Sequence, residues 1–287
     1  MSDEDTERRW REAVRKQQED DMKAKTGPYS GNYGGSEGGS GCSLIALQLL
    51  AFLALALALL LGGCASPAIS TATLESVPIQ PHGPTGFWTM SWHDEFSGTM
   101  LNAKLWSVPA WRINNVTWTK KDVWLYGGNL VLNLSSSTSG GAVLSVNKLK
   151  PGMVAEARVM FKGPDSSHVY NMPAWWAVGI KYPDSGEHDI VEGLGRPCVS
   201  YWSGARVLAY KTCPAGLWAN SWHTYTLERR DRSALVYWDG RLVAKYATSD
   251  DGGPEHLILN NGWSPKRPLI TGKISRMFIT DVRVFTH

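Results

Sequence analysis

Residues Ala234–Ala247 read ALVYWDGRLVAKYA. Asp239-Gly240 stands between two runs rich in aromatic and β-branched residues. An Asp-Gly pair in that setting is the strongest short-range signal for a β-hairpin, because both central residues of a type I′ turn take positive φ. The same texture extends outward in both directions. WTMSWHDEF (88–96), DVWLYGGNLVLNLS (122–135), AVLSVNKL (142–149), MVAEARVMF (153–161) and AWWAVGIKY (174–182) precede the hairpin, and HTYTLERR (223–230) leads into it. HLILNNGW (256–263) and SRMFITDVRVF (275–285) follow. Gly, Pro, Asn, Asp and Ser separate these runs, as expected of short strands joined by turns. No long 3.6-residue period appears after residue 87, and no fixed repeat suggests a propeller. The reading is an all-β domain: a sandwich, jelly roll or barrel over 88–287.

The whole-chain averages agree with a folded domain. With 43% apolar residues among 287, full disorder is excluded. The 29 glycines show no three-residue period and heptads are absent, which excludes collagen and coiled coil. A net charge of +3 calls for no nucleic-acid partner.

The N-terminal third differs. Residues 1–41 are polar, ending in a Gly/Ser-rich stretch, and read as a largely disordered cytoplasmic tail. Cys42–Leu61 contains no charge, and about 20 apolar residues span a hydrocarbon core of roughly 30 Å. Seven Lys/Arg precede it and none lies between Gly62 and Ala103, so the chain beyond should be exported. Gly62-Gly63-Cys64 resembles a lipoprotein cleavage site with Cys64 as the acylated residue. Residues 42–63 are therefore either an uncleaved membrane-spanning helix or a lipoprotein signal, with attachment through residues 43–61 or a lipid on Cys64. Residues 64–87, rich in Ser, Thr, Pro and Ala, read as a stalk. The exported part holds two further cysteines, Cys198 and Cys213, for which an oxidising compartment favours a disulfide over free thiols.

The chemistry concentrates at Gly186–Gly193, GEHDIVEG. Side chains alternate along a strand, so Glu187 and Asp189 share a face. Glu192 has the wrong parity, and one β-bulge restores it. The effective separation of Glu187 and Glu192 is then about 13 Å at Cα, within reach of the roughly 5–5.5 Å carboxyl spacing of a retaining glycosidase if both side chains lean inward. No Lys or Arg between Lys181 and Arg196 offsets the repulsion. Calcium is the structural alternative, but calcium loops interleave Asp/Asn with Gly, whereas Ile190 and Val191 continue a strand. No cofactor is required on this reading; a structural calcium elsewhere is left open.

This strand resembles the active-site strand of glycoside hydrolase family 16, with Glu, aliphatic, Asp, one or two apolar residues, Glu. Trp92–Gly98 with Leu105-Trp106, Gly152–Arg158, Met172–Trp176, Trp222–Tyr225, Tyr237–Gly240 and Asp281–Phe285 resemble further family segments, in order over 88–287. The resemblance implies a concanavalin A-like jelly-roll β-sandwich. It also implies a retaining endo-acting β-glycanase for an extracellular polysaccharide, with Glu187 as nucleophile, Asp189 as assisting acid and Glu192 as general acid/base. A transglycosylase with the same residues and a non-catalytic lectin-like module are the alternatives. His188 stands where the family is aliphatic, and by parity it points into the core, where a hydrogen-bonded histidine is expected.

Thirteen of the 14 tryptophans lie between Trp88 and Trp263. Flat rings suit the C–H faces of sugars. Trp175 and Trp176 have opposite parity, one for the cleft and one for the core, and Trp176 is the cleft candidate. Trp118, Trp263 and Asn260 are weaker substrate-binding candidates. A monomer is expected.

Overall fold

The computed structural model describes residues 78–181, 185–204, 207–264 and 274–287. The tail (1–41), the apolar segment (42–63), Cys64 and most of the stalk lie outside these residues. Among the described residues no helix is long and apolar enough to cross a membrane.

In chain order the strands are β1 (Thr89–Asp94), β2 (Trp106–Ser107), β3 (Arg112–Ile113), β4 (Val116–Trp118), β5 (Val123–Leu125) and β6 (Leu130–Ser136). They continue with β7 (Ser139–Gly140), β8 (Ala142–Leu149), β9 (Met153–Phe161), β10 (Met172–Gly179), β11 (Glu187–Leu194) and β12 (Arg196–Trp202). The last six are β13 (Leu208–Thr212), β14 (His223–Arg229), β15 (Ser233–Trp238), β16 (Arg241–Ala247), β17 (Glu255–Gly262) and β18 (Ser275–Thr286). One sheet runs β16-β15-β14-β9-β18-β6-β7-β4-β3, with β1 added to β18 and β5 to β6. The other runs β13-β12-β11-β10-β17-β8-β2. The result is a jelly-roll-like all-β sandwich.

Alternation explains the core. Ala155, Ala157, Val159 and Phe161 of β9 and Val282 and Val284 of β18 face Trp175 and Ala177 of β10, Val199 and Tyr201 of β12, and Leu257 and Leu259 of β17. Each larger apolar side chain so removed from water stabilises by roughly 1.5–3 kcal/mol. A second apolar cluster lies on the other face of the smaller sheet. There Val116 and Trp118 of β4 pack with Ala174, Trp176, Val178 and Ile258. The β3-β4-β7 edge of the larger sheet thereby forms one wall of a groove.

The Asp-Gly hairpin forms as read. Trp238 pairs with Arg241, and Asp239 and Gly240 take φ of 49° and 77°. The Asp239 carboxylate accepts hydrogen bonds from the Thr224 backbone N–H (2.8 Å) and lies 2.7 Å from His223 Nδ1, tying the turn to β14. The end of the segment read as stalk is packed on the domain. Gln80 exchanges hydrogen bonds with the Trp88 backbone, at 2.9 and 3.1 Å, and His82 binds the buried Glu156 carboxylate through its backbone N–H (2.7 Å) and its ring. Polar anchors, rather than an apolar run, thus hold Gln80 and His82 on the domain. Cys198 and Cys213 are disulfide-bonded and join β12 to the chain just past β13.

Candidate active site

The site is built on β11 and its two neighbours. On one side Glu187 pairs with Val178, Asp189 with Trp176 and Glu192 with Ala174 of β10. On the other, the same acids pair with Trp202, Ser200 and Cys198 of β12. The register shifts between Asp189 and Glu192 on both sides, so a bulge lies at Ile190-Val191. Both bulge side chains turn into the core and are fully buried. The bulge leaves backbone groups without regular ladder partners, and a buried carbonyl must find one elsewhere. Trp238 of the opposite sheet supplies it: its indole N–H donates to the Ile190 carbonyl at 3.1 Å. The extra residue thus returns Glu192 to the face of Glu187 and Asp189.

That face is the floor of a groove of about 820 Å³. Glu187, Asp189 and Glu192 line it, together with Trp118, Trp176 and Asn260 among the residues singled out from sequence. Asp189 is buried and accepts a hydrogen bond from Ser200 Oγ at 2.9 Å. The Trp176 indole N–H donates to Asn260 Oδ1 at 2.7 Å, which fixes the ring of the one and the amide of the other. Trp175 does not reach the groove. It is fully buried in the core, where its indole N–H donates to the Tyr225 carbonyl at 3.3 Å. Strand parity decides this: Trp175 and Trp176 stand on opposite faces of β10. Trp263 is also absent from the lining; it packs at the margin of the second apolar cluster.

The groove has further lining residues that the sequence did not single out. Trp111 and Arg112 come from the β3 edge, Trp202 from β12 and His256 from β17. Trp111 is 42% exposed and tilts against Trp118 with ring centres 5.8 Å apart. Trp118 and Trp176 are themselves nearly buried, so the accessible aromatic surface falls to Trp111 and Trp202. Burial pushes His256 below its usual range, favouring the neutral imidazole in the groove.

Behind the floor, His188 is fully buried, as its parity required. Its Nδ1 lies 2.9 Å from Tyr246 Oη, and its Nε2 lies 3.4 Å from Asp250 and 3.3 Å from Glu255 carboxylate oxygens. His188, Asp250 and Glu255 are the one group among the described residues with a metal-ligand arrangement. Arg229 stands 3.3 Å from Asp250 and 3.2 Å from Glu255, so a cation is already in place beside both carboxylates.

No protein-family model and no curated protein matches the sequence. Solved structures do. A non-specific endo-β-1,3(4)-glucanase of glycoside hydrolase family 16, SCLam, shares 19% identity over 72% of this chain and 94% of its own, with a TM-score of 0.60. The endo-β-1,3-glucanase of Pyrococcus furiosus shares 19% over 69% and 94%, with a TM-score of 0.55. A structure reported with endo-acting O-glycanases of human gut bacteria, used to initiate mucin breakdown, shares 18% over 69% and 99%, with a TM-score of 0.57. The chain has the fold of the glycoside hydrolase family 16 glucanases.

Proposed function

We propose that the domain read over 88–287 is a retaining, endo-acting β-glycoside hydrolase for an extracellular polysaccharide. The observation that supports it most is the set Glu187, Asp189 and Glu192 on one strand face, at the floor of an open groove walled by Trp111, Trp118, Trp176 and Trp202. The similar structures are named for endo-acting enzymes, which supports endo cleavage here. Glu192 protonates the glycosidic oxygen while the Glu187 carboxylate attacks the anomeric carbon. The C–O bond to the leaving sugar breaks as the glycosyl-enzyme ester forms. Glu192, now ionised, takes a proton from water, which displaces Glu187 and retains the configuration. Asp189, held by Ser200, stands between the two on the same strand face.

The test is release of reducing ends from β-1,3-glucan, β-1,3(4)-glucan and mucin O-glycans, the chemistries named for the similar structures. Glu187→Gln should abolish turnover while binding persists. Binding without turnover by the unaltered protein would leave a lectin; longer products with no net gain of reducing ends would indicate transglycosylation.

We also propose that the domain is tethered outside the cytoplasm, by an uncleaved helix at 43–61 or a lipid on Cys64. The uncharged 42–61 run, the Lys/Arg asymmetry and the Cys198–Cys213 disulfide support this. Protease added to intact cells should digest the domain, and protection would overturn the placement. Incorporation of labelled fatty acid that Cys64→Ala removes would select the lipoprotein.

A further inference from the structure

We propose that His188 is the positioning residue of the catalytic strand. As an imidazolium held between Asp250 and Glu255 on the core side, it fixes how Glu187 and Asp189 stand on the groove side. This rests on the hydrolase reading above.

The sequence neighbours of His188 are the two acids themselves, and alternation sends its ring through to the reverse face. The groups that face it come from every element packed there. They are Tyr201 of β12, Tyr246 of β16, Asp250 of the following loop, Glu255 at the start of β17, and Arg229 of β14 beyond the carboxylates. The Asp250, Glu255 and Arg229 side chains are no more than 2% exposed. Hydrogen bonding alone would accept a neutral ring, with Tyr246 as donor to Nδ1. The surroundings favour a charged ring: two buried carboxylates and a single guanidinium lie beside it. His188 Nε2 stands at ion-pair distance from both carboxylates, 3.4 and 3.3 Å, and so links β11 to β17 and to the loop before it. Burial opposes the charged ring, but Glu255 and Asp250 outweigh it and hold the imidazole at about 9. Displacing reacting groups by about 1 Å can lower a rate by about a hundredfold, so a clamp one residue from each acid bears directly on turnover.

The experiment compares the full-length protein with His188→Leu and with His188→Leu/Glu255→Gln, the latter keeping the buried charge balanced so that it folds. Substrate is the glucan or O-glycan the unaltered protein cleaves. The expected result is a kcat lower by at least about tenfold with KM changed by less than about threefold. Full kcat in the folded double variant would overturn the proposal. A second readout needs no activity: in ¹⁵N-histidine spectra, His188 should stay doubly protonated at neutral pH. A neutral His188 would overturn the clamp, whereas absence of turnover in the unaltered protein would count only against the hydrolase reading. Stabilisation by zinc that His188→Leu removes would make the cluster a metal site and likewise overturn it.

Discussion

At the scale of single residues, the acids differ by what surrounds them. Asp189 is buried and bonded to Ser200, whereas Glu187 and Glu192 are half-buried in the groove. Removing the hydroxyl in Ser200→Ala leaves a buried carboxylate short of a donor. A hydrogen bond to a charged group contributes about 1.5–3 kcal/mol, so chemical denaturation should show a loss of that order, together with reduced kcat. On the proposed mechanism, Glu192→Ala removes the acid but not the nucleophile. Polysaccharide turnover should fall by about 10²–10⁴, while aryl glycosides with good leaving groups should still glycosylate Glu187, visible as an intact-mass adduct. The acids could be read from spacing because period-2 alternation is a local property. Trp111 and Trp202 could not, since nothing near either in sequence says which wall of which groove it meets.

At the scale of elements, the decisive feature is the bulge in β11. Its need was legible from the parity of Glu192. Its support was not, because Trp238 lies 48 residues away on the opposite sheet. Trp238→Phe keeps most of the ring but leaves the Ile190 carbonyl buried without its donor. The expected loss is about 1–3 kcal/mol in urea denaturation, with turnover falling further than for a core substitution remote from β11. The loop and strands behind β11 also set a pH dependence. His188 is raised to about 9 from 6.5, so its contribution is fully present below 6.5 and is lost as pH rises through about 9. Asp250 is lowered overall: burial raises it, but the contacts with His188, Gly252 and Arg229 prevail. Its contribution is lost only as pH falls through the acid range below 3.8. Thermal scans should therefore show Tm declining on the alkaline side near 9, a decline absent in the His188→Leu/Glu255→Gln variant. The strands β12 and β13 escaped the sequence reading, since their Pro, Cys, Ser and Lys content gives little alternation. Pairing of β12 with β11 and of β13 with β12, and the disulfide, hold them.

At the scale of the whole molecule, the sandwich buries one face of each sheet and leaves the other face of the smaller sheet for the groove. The Cys198–Cys213 bond staples that sheet at its edge, with Cys198 paired to Glu192 across β11 and β12. In the chain-entropy model a loop of about 15 residues contributes roughly 3 kcal/mol, so Cys213→Ser or reduction should lower the denaturation midpoint accordingly. The sequence by itself determined the all-β class, the Asp-Gly hairpin, the shared face of Glu187 and Asp189, the bulge that Glu192 requires and the inward direction of His188. Each follows from alternation or turn chemistry within a few residues. Only the tertiary structure decided that Trp111 and Trp202 line the groove, that Gln80 and His82 are held on the domain, and that Asp250, Glu255 and Arg229 meet His188. Those outcomes depend on contacts between segments tens of residues apart, and only sheet order and register bring them together.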